Sequence, residues 1–248
     1  MPKGDNLALP PRGLLAGASL FLDFDGTLVD LAERPDLVHV SPDLTPLLAR
    51  LSAHLGGRVA LVSGRGAQEV AGLIGDPGLT IAGSHGAEFR FGPGHMLAPT
   101  RPASLDEALA VITAFATRHP GLVVEDKPQG VALHYRRLPE AGQACQTLTA
   151  DLADRLGLQL QPGKMVFELR PAGHDKGTAI RHLMGQPAMQ GTRPIFIGDD
   201  RTDEAAFRVA AEMGGAGIVV GPVSATSALY HLPTVASVHV WLDNEVVS

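Results

Sequence analysis

Cysteine occurs once in the 248 residues, and there is no run of lysine or arginine. A single thiol excludes an internal disulfide framework and a zinc site built from several cysteines. The histidines show no His-x-x-His spacing on one helix, which argues against zinc as well. Aromatic residues make up only 4% and charged residues 19%, against 45% hydrophobic. That is ordinary globular composition, so disorder and low-complexity architecture are out, although Gly 29 and Pro 19 imply many tight turns. The net charge of −6, with no basic run, argues against a nucleic-acid groove or an anionic membrane surface as partner. No apolar stretch approaches the roughly 18 residues of a membrane span. The nearest candidate, from Gly13 to Leu22, runs into Asp23 and Asp25 without a small-residue cleavage site. It reads as a buried strand, not a secretion signal, and the expected compartment is the cytoplasm. The expected partner is a small molecule, and a monomer is the expected state.

Several short apolar runs end in polar residues. Ser19–Leu22 runs into Asp23, Val59–Val62 into Ser63, Ile195–Ile197 into Gly198-Asp199-Asp200, and Ile218–Val220 into Gly221. Val238–Leu242, which runs into Asp243, has the same look and is read as a further strand. Runs without alternation suit strands buried on both faces, as in a parallel sheet covered by helices. Between them lie helical stretches. Ser41 is expected to cap a helix with Pro42 at its first position and a stop near Gly56, and Thr202 to cap Asp203–Glu212. Helix formers also follow Ser63 and Lys176. This order predicts an α/β fold with a doubly wound parallel sheet, in which ligands collect at the carboxyl ends of the strands.

The middle of the chain has another rhythm. A capping box at Ser104–Glu107 opens a predicted helix to about Arg118. Strand-like runs over 122–126 and 131–136 then flank Pro128-Gln129-Gly130. A second helix from Pro139 to Gly157 precedes a hairpin over 158–161 and 165–170, turning at Pro162-Gly163. Helix plus hairpin, twice, predicts an inserted α+β module over 87–170, with 1–86 and 171–248 as the core.

Asp23-Phe24-Asp25-Gly26-Thr27 is the strongest local signal. Two carboxylates two apart on an extended segment point to one side, and like charges that close need a cation or a proton between them. Oxygen-only ligands favour Mg²⁺. The bland alternative is a solvated turn, and a fully apolar strand leading into Gly-Thr weakens it. Gly198-Asp199-Asp200-Arg201-Thr202-Asp203-Glu204 places a second acidic cluster at another strand end. The helix dipole accounts for Asp203 and Glu204 but leaves Asp199 and Asp200 to compete for a metal. Lys176 stands at a helix start, where a cation is disfavoured unless an anion faces it. Phosphate and the carboxylate cluster are the candidate anions, and a solvated lysine is the alternative. Ser63-Gly64-Arg65 offers a hydroxyl and backbone N–H groups at a helix N-terminus, a weak anion-cradle signal by itself.

Asp-x-Asp-Gly-Thr, Ser, Lys and Gly-Asp-Asp in this order resemble the haloacid dehalogenase superfamily of phosphohydrolases. The likeness covers nearly the whole chain, with the insert similar to a sugar-phosphatase cap. Gly83-Ser84-His85-Gly86-Ala87-Glu88, Phe167-Glu168-Leu169-Arg170-Pro171, Lys176-Gly177-x-Ala179-Ile180 and Gly198-Asp199-Asp200-x-Thr202-Asp203-Glu204 resemble the trehalose-6-phosphate phosphatase branch.

The resemblance implies a Mg²⁺-dependent phosphomonoesterase with Asp23 as nucleophile and Asp25 as general acid and base. It implies Asp23, Asp25 (through its backbone carbonyl) and Asp199 as metal holders, and Ser63, Gly64 and Lys176 at the phosphoryl group. For the sugar it implies Glu125, Lys127 and Glu168, although strand-end charges are usually solvated. His134, Arg136, Arg65 and His85 are further candidates. Alternatives on the same fold are phosphatases for sucrose phosphate or glycosyl-phosphoglycerate, and a phosphomutase. A receiver-type phospho-acceptor is a distant rival, because it needs no inserted lid. Dinucleotide binding is disfavoured by the absence of Gly-x-Gly-x-x-Gly after the first strand.

Overall fold

The computed structural model describes residues 7–32, 34–223 and 225–247. Four of the apolar runs become adjacent strands: β1 (Ala18–Leu22), β2 (Val59–Val62), β10 (Arg193–Gly198) and β11 (Ala216–Val220). With β3 (Thr80–Gly83), β4 (Glu88–Phe91), β5 (Met96–Leu97) and β12 (Tyr230–Leu232) they form one eight-stranded sheet, ordered β12-β11-β10-β1-β2-β3-β4-β5. The strands from β12 to β3 are parallel, while β4 and β5 add antiparallel. β1 lies at the centre, and the chain winds first to one side of it and later to the other. The crevice beside its carboxyl end is therefore the switch point of an open α/β sheet.

Both faces of the sheet are apolar, for the period-two reason: Leu20 and Leu22 join one buried cluster and Phe21 the opposite one. α1 (Leu44–His54), α2 (Ala67–Leu73) and α7 (Val235–Val247) cover the first face. α5 (Lys176–Met184) and α6 (Glu204–Glu212) cover the second. Among the described residues no helix is long and apolar enough to cross a membrane.

Several local expectations are corrected. Val238–Leu242 is helical: Val238, Trp241, Leu242 and Glu245 are buried while Val240 is 63% exposed, which is a 3.6-residue stripe. Thr234 and Ser237 bond reciprocally where that helix begins, a start signal the β-branched run concealed. α1 starts at Leu44, with Ser41 Oγ reaching only the Asp43 N–H at 3.3 Å. Asp200, not Thr202, caps the 3-10 turn Arg201–Asp203 that precedes α6.

Backbone pairing also carries residues 88–97 into the large sheet. One compact unit comprises the chain up to Leu97 and from Asp175, and the other is Ala98–His174. The sequence expectation of 87–170 for the insert thus begins and ends too early.

In the second unit α3 (Ala103–Ala116), β6 (Val123–Lys127), β7 (Gly130–His134), α4 (Gly142–Leu156), β8 (Gln159–Gly163) and β9 (Val166–Arg170) repeat helix plus hairpin. The strands form an antiparallel sheet ordered β6-β7-β9-β8. Ser104 lies inside α3, so no capping box opens that helix. Pro162 and Gly163 belong to β8, and the hairpin turns at Lys164-Met165, where Met165 takes φ +64°. Val131, Leu133, Phe167 and Leu169 pack with Leu105, Ile112 and Leu152 from α3 and α4. The lone Cys145 is buried in this core. The period-two alternation leaves Glu125, Lys127, His134, Glu168, Arg170 and Gln161 together on the opposite, polar face.

Candidate active site

Asp23 follows directly on β1, and its N–H still donates to Ile197 of β10 at 2.9 Å. Phe24, between the two aspartates, is fully buried at a bend in the chain, and the Asp23 and Asp25 carboxylates meet different partners. Gly26 then reverses the chain at φ +79°, its N–H bonding to the Val29 carbonyl at 2.7 Å. A Cβ at Gly26 would lie 2.2 Å from Asp199 Oδ2, so only glycine lets the carboxylate beyond β10 approach this loop.

Lys176, at the first position of α5, is 3% exposed. Its Nζ lies 2.8 Å from Asp23 Oδ1 and 2.7 Å from Asp203 Oδ1. The anion facing Lys176 within the chain is thus the carboxylate cluster. Asp203 is fully buried, and its Oδ2 accepts the N–H groups of Asp199 at 2.8 Å and Asp200 at 2.9 Å. It ties the loop after β10 to the start of α5. The helix dipole alone does not account for Asp203: a first-turn carboxylate after Gly-Asp-Asp folds back onto its own loop. Asp200 is spent on the Thr202 N–H and hydroxyl, at 2.7 and 2.6 Å.

Burial pushes the Asp23 carboxyl well above the usual carboxylate range. Lys176 opposes that shift, while Asp203, Asp199 and Asp200 add to it. Asp203 is raised for the same first cause. Lys176 is held well above its ordinary value, because the attraction of Asp203 and Asp23 outweighs its own desolvation. One oxygen from each of Asp23, Asp199 and Asp203 falls within 4.8 Å of the others. An all-oxygen set with this much negative charge suits a hard divalent cation.

The Asp25 carboxylate is not in that set. Arg65 donates to both of its oxygens, Nε to Oδ2 at 2.7 Å and Nη2 to Oδ1 at 3.0 Å, and its Nη1 donates to Glu69 at 2.5 Å. Ser63 is buried at the end of β2, and its Oγ accepts the Arg65 N–H at 3.1 Å. Gly64 follows it in the same loop. The helix-start cradle expected there is displaced: α2 begins at Ala67, and the Ala67 N–H donates to Glu88 at 2.7 Å. Glu88 therefore acts as that helix's cap, a role with no local sequence signal because it comes from β4.

In the second unit, Lys127 Nζ contacts Glu168 Oε2 at 2.6 Å, and Glu125 Oε2 meets His134 Nε2 at 2.8 Å. These charges are paired and half-buried or buried, in place of the solvated strand-end charges that were the alternative. Burial alone would raise Glu125, yet the His134 hydrogen bond and the Lys127 charge hold it below the usual carboxylate range. Arg136 donates to the Lys164 carbonyl at 3.3 Å.

Residues 21–236 match the trehalose-phosphatase family. A probable trehalose-phosphate phosphatase of Sinorhizobium fredii is 43% identical over 219 residues, covering 87% of this chain and 83% of that protein. The trehalose-6-phosphate phosphatase of Escherichia coli is 35% identical over 233 residues, 93% of this chain and 87% of its own. The solved C-terminal domain of C. albicans trehalose-6-phosphate phosphatase shares the fold, with a TM-score of 0.83 at 23% identity over 98% of each chain. A family match over residues 21–236 and relatives 35–43% identical along most of their length mean that this chain belongs to the trehalose-phosphatase family.

Proposed function

We propose that this chain hydrolyses trehalose 6-phosphate to trehalose and inorganic phosphate, through an aspartyl-phosphate on Asp23 and with Mg²⁺ as cofactor. The observation that carries the reading is the buried Asp203–Lys176–Asp23 chain at the carboxyl end of β1. It aims one carboxylate, steadied by a cation, at the switch point of the sheet. Asp23 attacks phosphorus as the bond to the sugar oxygen breaks, and Asp25 delivers a proton to that oxygen. Asp25 then takes a proton from the water that attacks the aspartyl-phosphate, which frees phosphate and restores Asp23.

Proton delivery requires Asp25 to come off Arg65, and Glu69 stays behind as the guanidinium's partner. Ser63, Gly64 and Lys176 hold the phosphoryl group, so that alignment and charge neutralisation carry the barrier. Asp23, Asp199 and the Asp25 carbonyl would hold Mg²⁺, with Asp203 fixing the Asp199 backbone. When bound, the ion supplies Lewis-acid neutralisation of the charge shared by carboxylates and phosphate. Glu125, Lys127 and Glu168, on the polar face of the Ala98–His174 unit, select the sugar through its hydroxyls, and that unit serves as the lid.

The test is phosphate release from a panel of trehalose 6-phosphate, sucrose 6-phosphate and glucose 6-phosphate, with Mg²⁺ and after chelation. Preferential release from trehalose 6-phosphate, only with the metal, is expected. Preference for another sugar phosphate, or full activity after chelation, refutes the proposal.

A further inference from the structure

Backbone strain concentrates in the turn between β3 and β4. Ser84 and His85 follow one another at φ +50° and +56°, in the left-handed region that residues with a Cβ rarely enter. The other described non-glycine residues with positive φ, Asp76 and Met165, are isolated and not buried, whereas Ser84 and His85 are 3% and 8% exposed. A buried, strained pair persists only where its surroundings over-determine it, and such pairs gather at functional sites.

The surroundings here are the proposed phosphoryl loop and the start of α5. The Ser84 N–H donates to the Arg65 carbonyl at 2.7 Å, and the His85 N–H to the Ser63 carbonyl at 2.9 Å. On the other side Gly86 abuts α5, where a Cβ would lie 2.8 Å from Ala179 Cβ and 2.9 Å from the Asp175 carbonyl. The turn is thereby pinned to that loop and to α5, and its imidazole rests on Gly64. A Cβ at Gly64 would lie 2.6 Å from Nε2 and 2.7 Å from Cε1 of His85. The imidazole is therefore seated against the loop that leaves the carboxyl end of β2, the strand next to β1.

We propose that His85 contacts the phosphoryl group directly, its ring N–H donating to a non-bridging oxygen, and that the strained turn is what holds the ring there. The inference rests on the reading of Ser63, Gly64 and Lys176 as the phosphoryl site. Lys176 already bridges Asp23 and Asp203, and Arg65 is engaged by Asp25 and Glu69, so a further donor over the loop has work to do.

Inorganic phosphate is the probe, as a competitive inhibitor of p-nitrophenyl phosphate hydrolysis, with thermal melts on the same samples. His85→Gly removes the ring and accepts φ +56° without strain; His85→Phe keeps a ring but no donor. Both are expected to raise the Ki for phosphate roughly ten-fold or more, and to lower kcat/KM by a similar factor on p-nitrophenyl phosphate and trehalose 6-phosphate alike. For His85→Gly the melting temperature is expected within a few degrees of the parent. An unchanged Ki in His85→Gly overturns the inference, and if that variant fails to fold, an unchanged Ki in His85→Phe does so. If the parent itself releases no phosphate from any sugar phosphate and is not inhibited by phosphate, it is the underlying phosphatase reading that fails.

Discussion

Replacing Lys176 by methionine isolates the electrostatics of the site from its chemistry. The ammonium lies within 2.8 Å of two carboxylates that are 4% and 0% exposed, so the variant leaves two buried carboxylates facing each other. Removing one partner of a buried ion pair costs about 3–5 kcal/mol, a large share of the 5–15 kcal/mol that stabilises a typical domain. At about 2–4 °C per kcal/mol for a chain of this size, the melting temperature should fall by about 6–20 °C at pH 8 in EDTA. The pH dependence has a definite sign. The Asp23 and Asp203 carboxyls titrate above their unfolded range, chiefly through burial, so the folded chain binds more protons and gains stability as pH falls through their folded values. Loss of Lys176 removes the charge that opposes this upward shift, so the gain on acidification is larger in the variant. Its deficit should be greatest at pH 8 and shrink towards pH 5, and Mg²⁺ at pH 8 should recover part of it. Circular-dichroism melts of both proteins at the two pH values read all of this. A variant that melts with the parent at pH 8 in EDTA, or a deficit that grows on acidification, refutes the reasoning.

Three further outcomes are expected. Asp23→Asn should reduce turnover by at least about 10⁴-fold, since an amide cannot act as the attacking carboxylate; near-normal rates in a steady-state assay would remove Asp23 from the role of nucleophile. Gly26→Ala should raise the Mg²⁺ concentration for half-maximal activity and lower stability by about 1–2 kcal/mol, because it strains a φ of +79° and drives a Cβ into Asp199. An unshifted Mg²⁺ titration would contradict the dependence of the metal site on the close approach of Asp199 to Gly26. Glu168→Ala, by breaking the contact with Lys127 and one hydrogen bond of about 1.5–3 kcal/mol to the sugar, should depress kcat/KM for trehalose 6-phosphate roughly ten- to a hundred-fold while sparing p-nitrophenyl phosphate. Equal losses on both substrates would count against a sugar-selecting role.

Much of this protein was legible in its residues. An unalternating apolar run that leads into Asp-x-Asp-Gly suits a strand buried on both faces, as in a parallel sheet, and the two aspartates then emerge at its carboxyl end. Lys176 at a helix N-terminus demanded an anion, and one is there. These conclusions rest on local periodicity and on charge that has to be neutralised, both carried by short stretches of chain. What failed did so where distant residues decide. Val238–Leu242 looks like a strand by its valines and apolar residues, yet it is helical, with its Val238, Trp241 and Leu242 stripe packed into the cluster on the first face of the sheet. Residues 88–97 join the large sheet because β3 offers an open edge, which nothing within that segment announces. Asp25 is held by Arg65, the α2 start is capped by Glu88, Asp200 rather than Thr202 caps the turn before α6, and Asp203 organises the loop after β10. The Asp25–Arg65 and Ala67–Glu88 pairings bring together groups whose separation along the chain carries no spacing rule, whereas Asp203 reaches back only to the Asp199 and Asp200 N–H groups of its own loop. The sequence by itself determined which residue types stand at the strand ends; the tertiary structure decided which of them face one another, because a buried charge takes the partner that packing supplies.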